Sequence, residues 1–347
     1  MIRNIILNFL KTASKIKERE VKAVVFSFLF VVILMSAYYI LRPVRDAMAS
    51  DWTDAEVSWL WTLNFFISTG IVALYGIMVS KFRFRLLVPV MYGIFAGSFI
   101  IFYVLGSIYA DQILIDKAFY VWVSVFSLFH ISVFWSFMSE LFSKEQSSRL
   151  FGVIAVGASV GGLIGPSITT IFSVSLGTDK LMLIASTMLL IPIPIIFFLQ
   201  SLKTKELNNE VLNTPISNQS IGGNPLAGFK MFFSNPYLLS IGVFILLYTG
   251  ISSFVYFELK NLLSDFSRPE RSVIWAQMDL AVNILAISTG LFATGRIVTR
   301  FGMPATIAMV PIIICIGLLI LAISPLLGVV MILQIVRRAG NYAVTRP

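Results

Sequence analysis

The chain has 347 residues, of which 58% are hydrophobic and 12% charged, with a formal net charge of +9. Soluble domains carry about 25% charged residues, so a soluble globular protein is excluded. Its one cysteine, Cys315, rules out an intramolecular disulfide and a cysteine-based zinc site, and its one histidine, His130, argues against a histidine metal cluster.

The charge does not point to nucleic acid, because the basic residues sit in short segments between long apolar runs, where they act as topology signals. In chain order, residues 1–20 read as an amphipathic basic segment lying on the membrane surface, with Ile2, Ile5, Ile6, Phe9 and Leu10 on the apolar side. A helix needs about 20 apolar residues to cross the hydrocarbon core. Nine full spans are predicted: 23–41, 57–80, 86–110, 118–139, 150–176, 181–202, 237–257, 272–295 and 301–323. A partial tenth starts at Pro325 and is cut short by the chain end. The runs do not alternate as barrel strands do. Residues 203–236 have the composition of a linker, rich in Asn, Ser, Gly and Pro. The expected organisation is therefore 1–20 surface segment, 21–202 six-helix bundle, 203–236 cytoplasmic linker and 237–347 a second bundle. Six plus four suggests six plus six, with two spans missing from an expected twelve. With the N-terminus in the cytoplasm, 16 basic residues fall inside and seven outside, which sets the expected orientation.

Charges within spans are costly and mark functional candidates. The third, sixth and ninth spans carry none, whereas the first, fourth, seventh and tenth carry or end in several. That period of three suggests repeated three-helix units, each with one cavity-lining helix. Tyr38, Arg42 and Arg45 share a helix face, and Asp46 follows them. His130 and Arg337 fall near the midplane, where transporter sites lie, and Arg338 adjoins Arg337. These seven are the candidate substrate-binding residues. Two readings stay open for Arg42 and Arg45, an anion site or a plain interfacial role, snorkelling at the outer interface or pairing with Asp46 and the outer-loop acids. Two also stay open for His130, a proton or substrate group or a packing residue. Candidates for gating or coupling are Glu140 at a cytoplasmic helix end, Asp279 with Asn283 one turn on, and Lys81, Arg83 and Arg300 in cytoplasmic loops. Gly157, Gly161 and Gly165 recur every fourth residue in the fifth span and predict close helix packing.

The loops Gly76-Ile77-Met78-Val79-Ser80-Lys81-Phe82 and Gly295-Arg296-Ile297-Val298-Thr299-Arg300-Phe301 share G-x-x-x-x-[KR]-F and lie six spans apart. In this the chain resembles the major facilitator superfamily, without the aspartate usual in its loop signature. The stretch Tyr39-Ile40-Leu41-Arg42-Pro43-Val44-Arg45-Asp46 is similar to the first-helix motif of the ATP/ADP translocase (nucleotide exchange) family, with Arg45 in place of a lysine. The resemblance implies an all-α, major-facilitator-like bundle and phosphate contacts by Arg42, Arg45 and Arg337. The expected function is secondary transport of a small anionic or phosphorylated solute, including exchange of nucleotides. The expected location is the bacterial inner (plasma) membrane. A non-transporting sensor or scaffold on the same fold, or a membrane enzyme acting on lipid-linked substrates, are the alternatives. The expected partners are the bilayer and a small solute, with no cofactor, metal or nucleic acid.

Overall fold

The computed structural model describes residues 16–81, 84–109, 112–205, 207 and 232–345, with backbone alone at 80, 81, 84, 204, 205, 344 and 345. Most of the predicted surface segment, Arg83 and most of the linker lie outside the described residues, as does the side chain of Lys81. The described chain is helical throughout: α1 (Val21–Met48), α2 (Asp54–Lys81), α3 (Phe84–Ile108), α4 (Ile113–Leu141), α5 (Lys144–Leu176), α6 (Thr178–Leu190), α7 (Pro192–Lys205), α8 (Pro236–Leu262), α9 (Arg268–Phe292), α10 (Thr294–Ile323) and α11 (Leu327–Gly340). A π-helical turn, Asn341–Thr345, extends α11.

Among the described residues, nine segments are long and apolar enough to span a membrane, and the tenth, α11, is a shorter helix. The predicted sixth span is split into α6 and α7, because Pro192 has no N–H with which to continue the backbone ladder. The predicted ninth span is interrupted near its start, where Gly302 takes φ 78°, a left-handed conformation that costs glycine little. Residues 16–20 depart from the predicted surface helix. Ile16 is buried, and the fully buried Glu20 accepts Arg149 Nη1 and Nη2 at 3.3 and 3.0 Å, anchoring the entry to α1 against the start of α5.

Helix α1 is the hub, packing on α4, α5, α6 and α9. Its closest neighbour is α5, where the glycine stripe removes side chains from the contact. A Cβ at Gly157 would meet Val31 Cγ1 at 2.7 Å, one at Gly161 the Val32 carbonyl oxygen at 2.5 Å, and one at Gly165 the Ser36 carbonyl oxygen at 2.5 Å. Helix α9 packs on both α5 and α1, so it joins the four later spans to the first six. One apolar cluster is built from residues of the first six spans and a second from the later ones, with Ala47 of α1 reaching into it. Helices α2 and α8 expose much of their apolar surface, including Trp59, Phe65, Phe66, Leu246, Leu247 and Phe254, as spans do towards lipid.

Candidate functional site between the two halves

Apolar patterning alone would end α1 near Leu41, yet the helix continues through Arg42, Pro43, Arg45 and Asp46. The charged residues pair with one another there, which lowers the cost of keeping them out of water. Arg45 donates Nε and Nη2 to Asp46 Oδ1 at 3.0 and 2.6 Å, and Arg42 Nε lies 3.6 Å from Asp46 Oδ2. Arg45 also donates to Ser124 Oγ at 3.2 Å and lies over the Tyr120 ring at 5.4 Å, both on α4. Asp46 is 2% exposed, so this group is enclosed by helices rather than spread at an interface.

Arg42 turns the other way from Arg45, to Asp279 of α9, with Nη1 3.3 Å from Oδ1. The same oxygen lies 2.6 Å from Arg338 Nη2 of α11. Asp279 thus bridges a guanidinium from the first half and one from the second. Neither Arg338 Nη nor Asp279 Oδ1 is aligned for a hydrogen bond, so the bridge is close but leaves donors of Arg338 unspent. Ten residues separate Leu327 from Arg337, about 15 Å of helix at ~1.5 Å per residue, which places the cluster at mid-depth in a core of about 30 Å. Arg337, 5% exposed, points away from Asp279. Its Nε and Nη2 donate to Gln334 Oε1 at 3.2 and 2.6 Å, and its Nη1 donates to Tyr248 OH at 3.2 Å and to Ser252 Oγ. Asn283 Nδ2, one turn from Asp279, donates to the Gly162 carbonyl at 2.9 Å, a helix–helix contact at the stripe.

The remaining candidates lie apart from these charges or at their edge. His130 is buried, stacked on Tyr38 at 4.4 Å, with Nδ1 3.2 Å from the Phe126 carbonyl and Nε2 without a hydrogen-bond partner. Glu140 pairs with Lys203 at 3.4 Å within the first half. Arg300 is exposed over Phe301, and Lys81 ends α2.

Where α1 ends, a second polar seam joins the halves. Lys260, 1% exposed, lies 2.9 Å from Asp54 Oδ1 and donates to the Trp52 carbonyl at 2.7 Å. Arg268 reaches Asp51 at 2.6 Å and Asp116 at 2.7 Å, and Arg271 reaches Asp51 at 2.6 Å. Just beneath, Tyr256 OH stands 3.3 Å from Tyr120 OH and 3.5 Å from Asp46 Oδ1. Among the described residues, every ion pair joining the two halves lies at the level of Arg42 or on this side of it. Among the described residues, the ion pairs between the halves therefore gather at one face and latch it. The sequence reading missed this seam, and it missed Gln334, Tyr248 and Ser252. Its only signal was the position of the acids and bases at the ends of neighbouring spans.

Residues 25–343 match the sequence profile of the Major Facilitator Superfamily. The chain belongs to that superfamily. The all-helical fold and the secondary-transporter class expected from the loops follow from it. The sequence matches no curated protein. Among solved structures, the fold is similar to a crystal structure of a bacterial homolog of the human lysosomal transporter Spinster, in an inward-facing and unoccupied conformation. That similarity has a TM-score of 0.52 at 15% identity, covering 95% of this chain and 74% of the other. As in any superfamily member of this class, the cargo is a small solute.

Proposed function

We propose that this superfamily member carries an anionic solute by alternating access, through a site at the seam of α1, α9 and α11. The observation that carries the reading is electrostatic. Among the described residues, four guanidiniums, of Arg42, Arg45, Arg337 and Arg338, are enclosed at mid-depth with only two carboxylates, Asp46 and Asp279, at ion-pair distance. An unpaired arginine at this depth costs at least ~2.5 kcal/mol, and an anion entering the seam removes that cost. Guanidinium forks also match carboxylate and phosphate geometry. The latched face is read as the outer one from the loop charges, which makes this the inward-open arrangement with a cytoplasmic N-terminus. Rocking of the two halves about the site would break the outer ion pairs and close the opposite side. The first-helix resemblance makes phosphorylated solutes, nucleotides among them, the first to offer, with exchange as the first mode to assay. The bacterial inner membrane is the proposed location.

The test uses the purified full chain in liposomes, offered labelled ATP, ADP, inorganic phosphate and dicarboxylates. Uptake of at least one of these, lost in Arg42→Gln, is expected. Transport of neutral solutes alone, or anion uptake indifferent to Arg42→Gln, overturns the anion assignment.

A further inference from the structure

The surplus of positive charge at mid-depth has a location, and it is not shared evenly. At the latched face the cations and acids balance, with Lys260, Arg268 and Arg271 against Asp51, Asp54 and Asp116. At mid-depth Arg42, Arg45 and Arg338 share Asp46 and Asp279, which leaves one positive charge over. Arg337 is the other. Its partners Gln334, Tyr248 and Ser252 are all neutral, and the Tyr248 ring lies beneath it at 5.4 Å from the centroid. Neutral acceptors satisfy its N–H groups but leave its charge in place. Among the described residues no carboxylate lies within ion-pair distance of it. The adjacent Arg338 has the complementary property: a carboxylate at 2.6 Å, but Nη1 and Nη2 without an aligned hydrogen bond. Consecutive residues thus supply uncompensated charge and unspent donors side by side.

Resting on the anion reading above, we propose that the site selects a solute group carrying two negative charges, as a phosphate monoester does, over a monoanion of similar size. Arg337 sets that preference. Arg338 takes the oxygens of the group by hydrogen bonding, and the second negative charge is stabilised by the field of Arg337 in a medium that screens it poorly. A monoanion meets the same donors but leaves the Arg337 charge unmatched.

The experiment measures binding by isothermal titration, and uptake into liposomes, with the full chain. The first probe pair is sulfate and methyl sulfate, whose charges do not titrate in the working range. The second is phenyl phosphate and its monomethyl ester. The dianion of each pair is expected to bind at least about tenfold tighter. Phenyl phosphate should also tighten as pH rises through about 6, where its second proton leaves, while the methyl ester should not. In Arg337→Gln the dianion-to-monoanion ratio should fall towards one, and in Arg337→Lys, which keeps the charge, it should persist. Equal binding of dianion and monoanion by the unaltered chain overturns the inference, as does the same ratio in the Gln and Lys variants. If Arg337→Gln does not fold, the ratio in the unaltered chain and in Arg337→Lys decides. If no probe of either charge binds, the inference falls, whereas the anion assignment falls only on the uptake assay above, so the two failures are distinct.

Discussion

Gly161→Ala tests the packing on which the site depends. An added Cβ would lie 2.5 Å from the Val32 carbonyl oxygen, 2.7 Å from Met35 Cβ and 3.1 Å from Ser36 N. Two of the three obstacles are backbone atoms, which no rotamer change can move. Ordinary van der Waals separation is roughly 3.5 Å, so α1 would have to lift from α5 by about 1 Å. Overpacking of this kind typically costs 1–3 kcal/mol, and with backbone as the obstacle the upper part of that range is expected. Gly152 on the same helix has nothing within 4 Å of its would-be Cβ, so Gly152→Ala shares the change in helix propensity without the clash. Thermal unfolding in detergent, followed by tryptophan fluorescence, should show Gly161→Ala clearly below Gly152→Ala. Because α1 carries Arg42 and Arg45, anion binding should weaken as well. Equal unfolding temperatures for the two variants would refute the claim that the stripe sets the α1–α5 distance.

Three further outcomes follow from the ion pairs. Asp279→Ala leaves Arg42 and Arg338 without their shared carboxylate and should cost about 3–5 kcal/mol, the usual penalty for breaking a buried pair. Adding Arg338→Gln should recover part of that loss, and additive losses in chemical unfolding would show that the pair is not coupled. Arg271→Gln removes contacts with Asp51 and with the Ala47, Leu263 and Ser264 carbonyls, and should loosen the latched face. In a Cys315→Ser background, a cysteine replacing the buried Ser50 should then react with an impermeant maleimide about fivefold faster, as for a shift of ~1 kcal/mol; unchanged labelling would show that the face stays shut without Arg271. A cysteine at the exposed Ser264, between α8 and α9, should be labelled from outside intact cells, and labelling only after permeabilisation would reverse the orientation.

The fold was largely legible because spanning helices are specified locally, by length and apolarity, and nine predicted spans recur in the structure, with end shifts that reach ten residues where the first helix runs on past Leu41 to Asp51. The breaks at Pro192 and Gly302 were written in the sequence but give way to hydropathy in any windowed reading. The glycine stripe was legible because fourfold spacing specifies a face. The site was legible only in part. Helical spacing placed Arg42 and Arg45 on one face, yet the structure sends one to Asp279 and the other to Ser124 and Tyr120. The partner of Arg42 lies more than two hundred residues away, and no local pattern encodes such a pairing. Gln334, Tyr248 and Ser252 went unnoticed because neutral polar residues are common in spans; Gln334 three residues before Arg337 was the one local hint. The three-span charge period named helices that do contribute, but Asp279, the residue that ties the halves at mid-depth, lies outside that period.

The position of Asp279 bears on how an anion site survives when empty. Four guanidiniums without any acid at mid-depth would cost roughly 2.5–3.5 kcal/mol each, enough to threaten the assembly of α1, α9 and α11. Two carboxylates lower that cost, and they differ in kind. Asp46 neutralises within α1 and moves with it. Asp279 does so across the seam, holding Arg42 of one half and Arg338 of the other through a single oxygen. On the anion reading, a solute that takes the unspent donors of Arg338 competes with Asp279 for the same guanidinium. The contact the solute must weaken on entering is thus one of the contacts that hold the halves together at that level. Occupancy and the freedom of the halves to rock are then linked through one oxygen atom. For this reason Asp279 should affect stability and binding in opposite directions, stabilising the empty protein while weakening its hold on the anion.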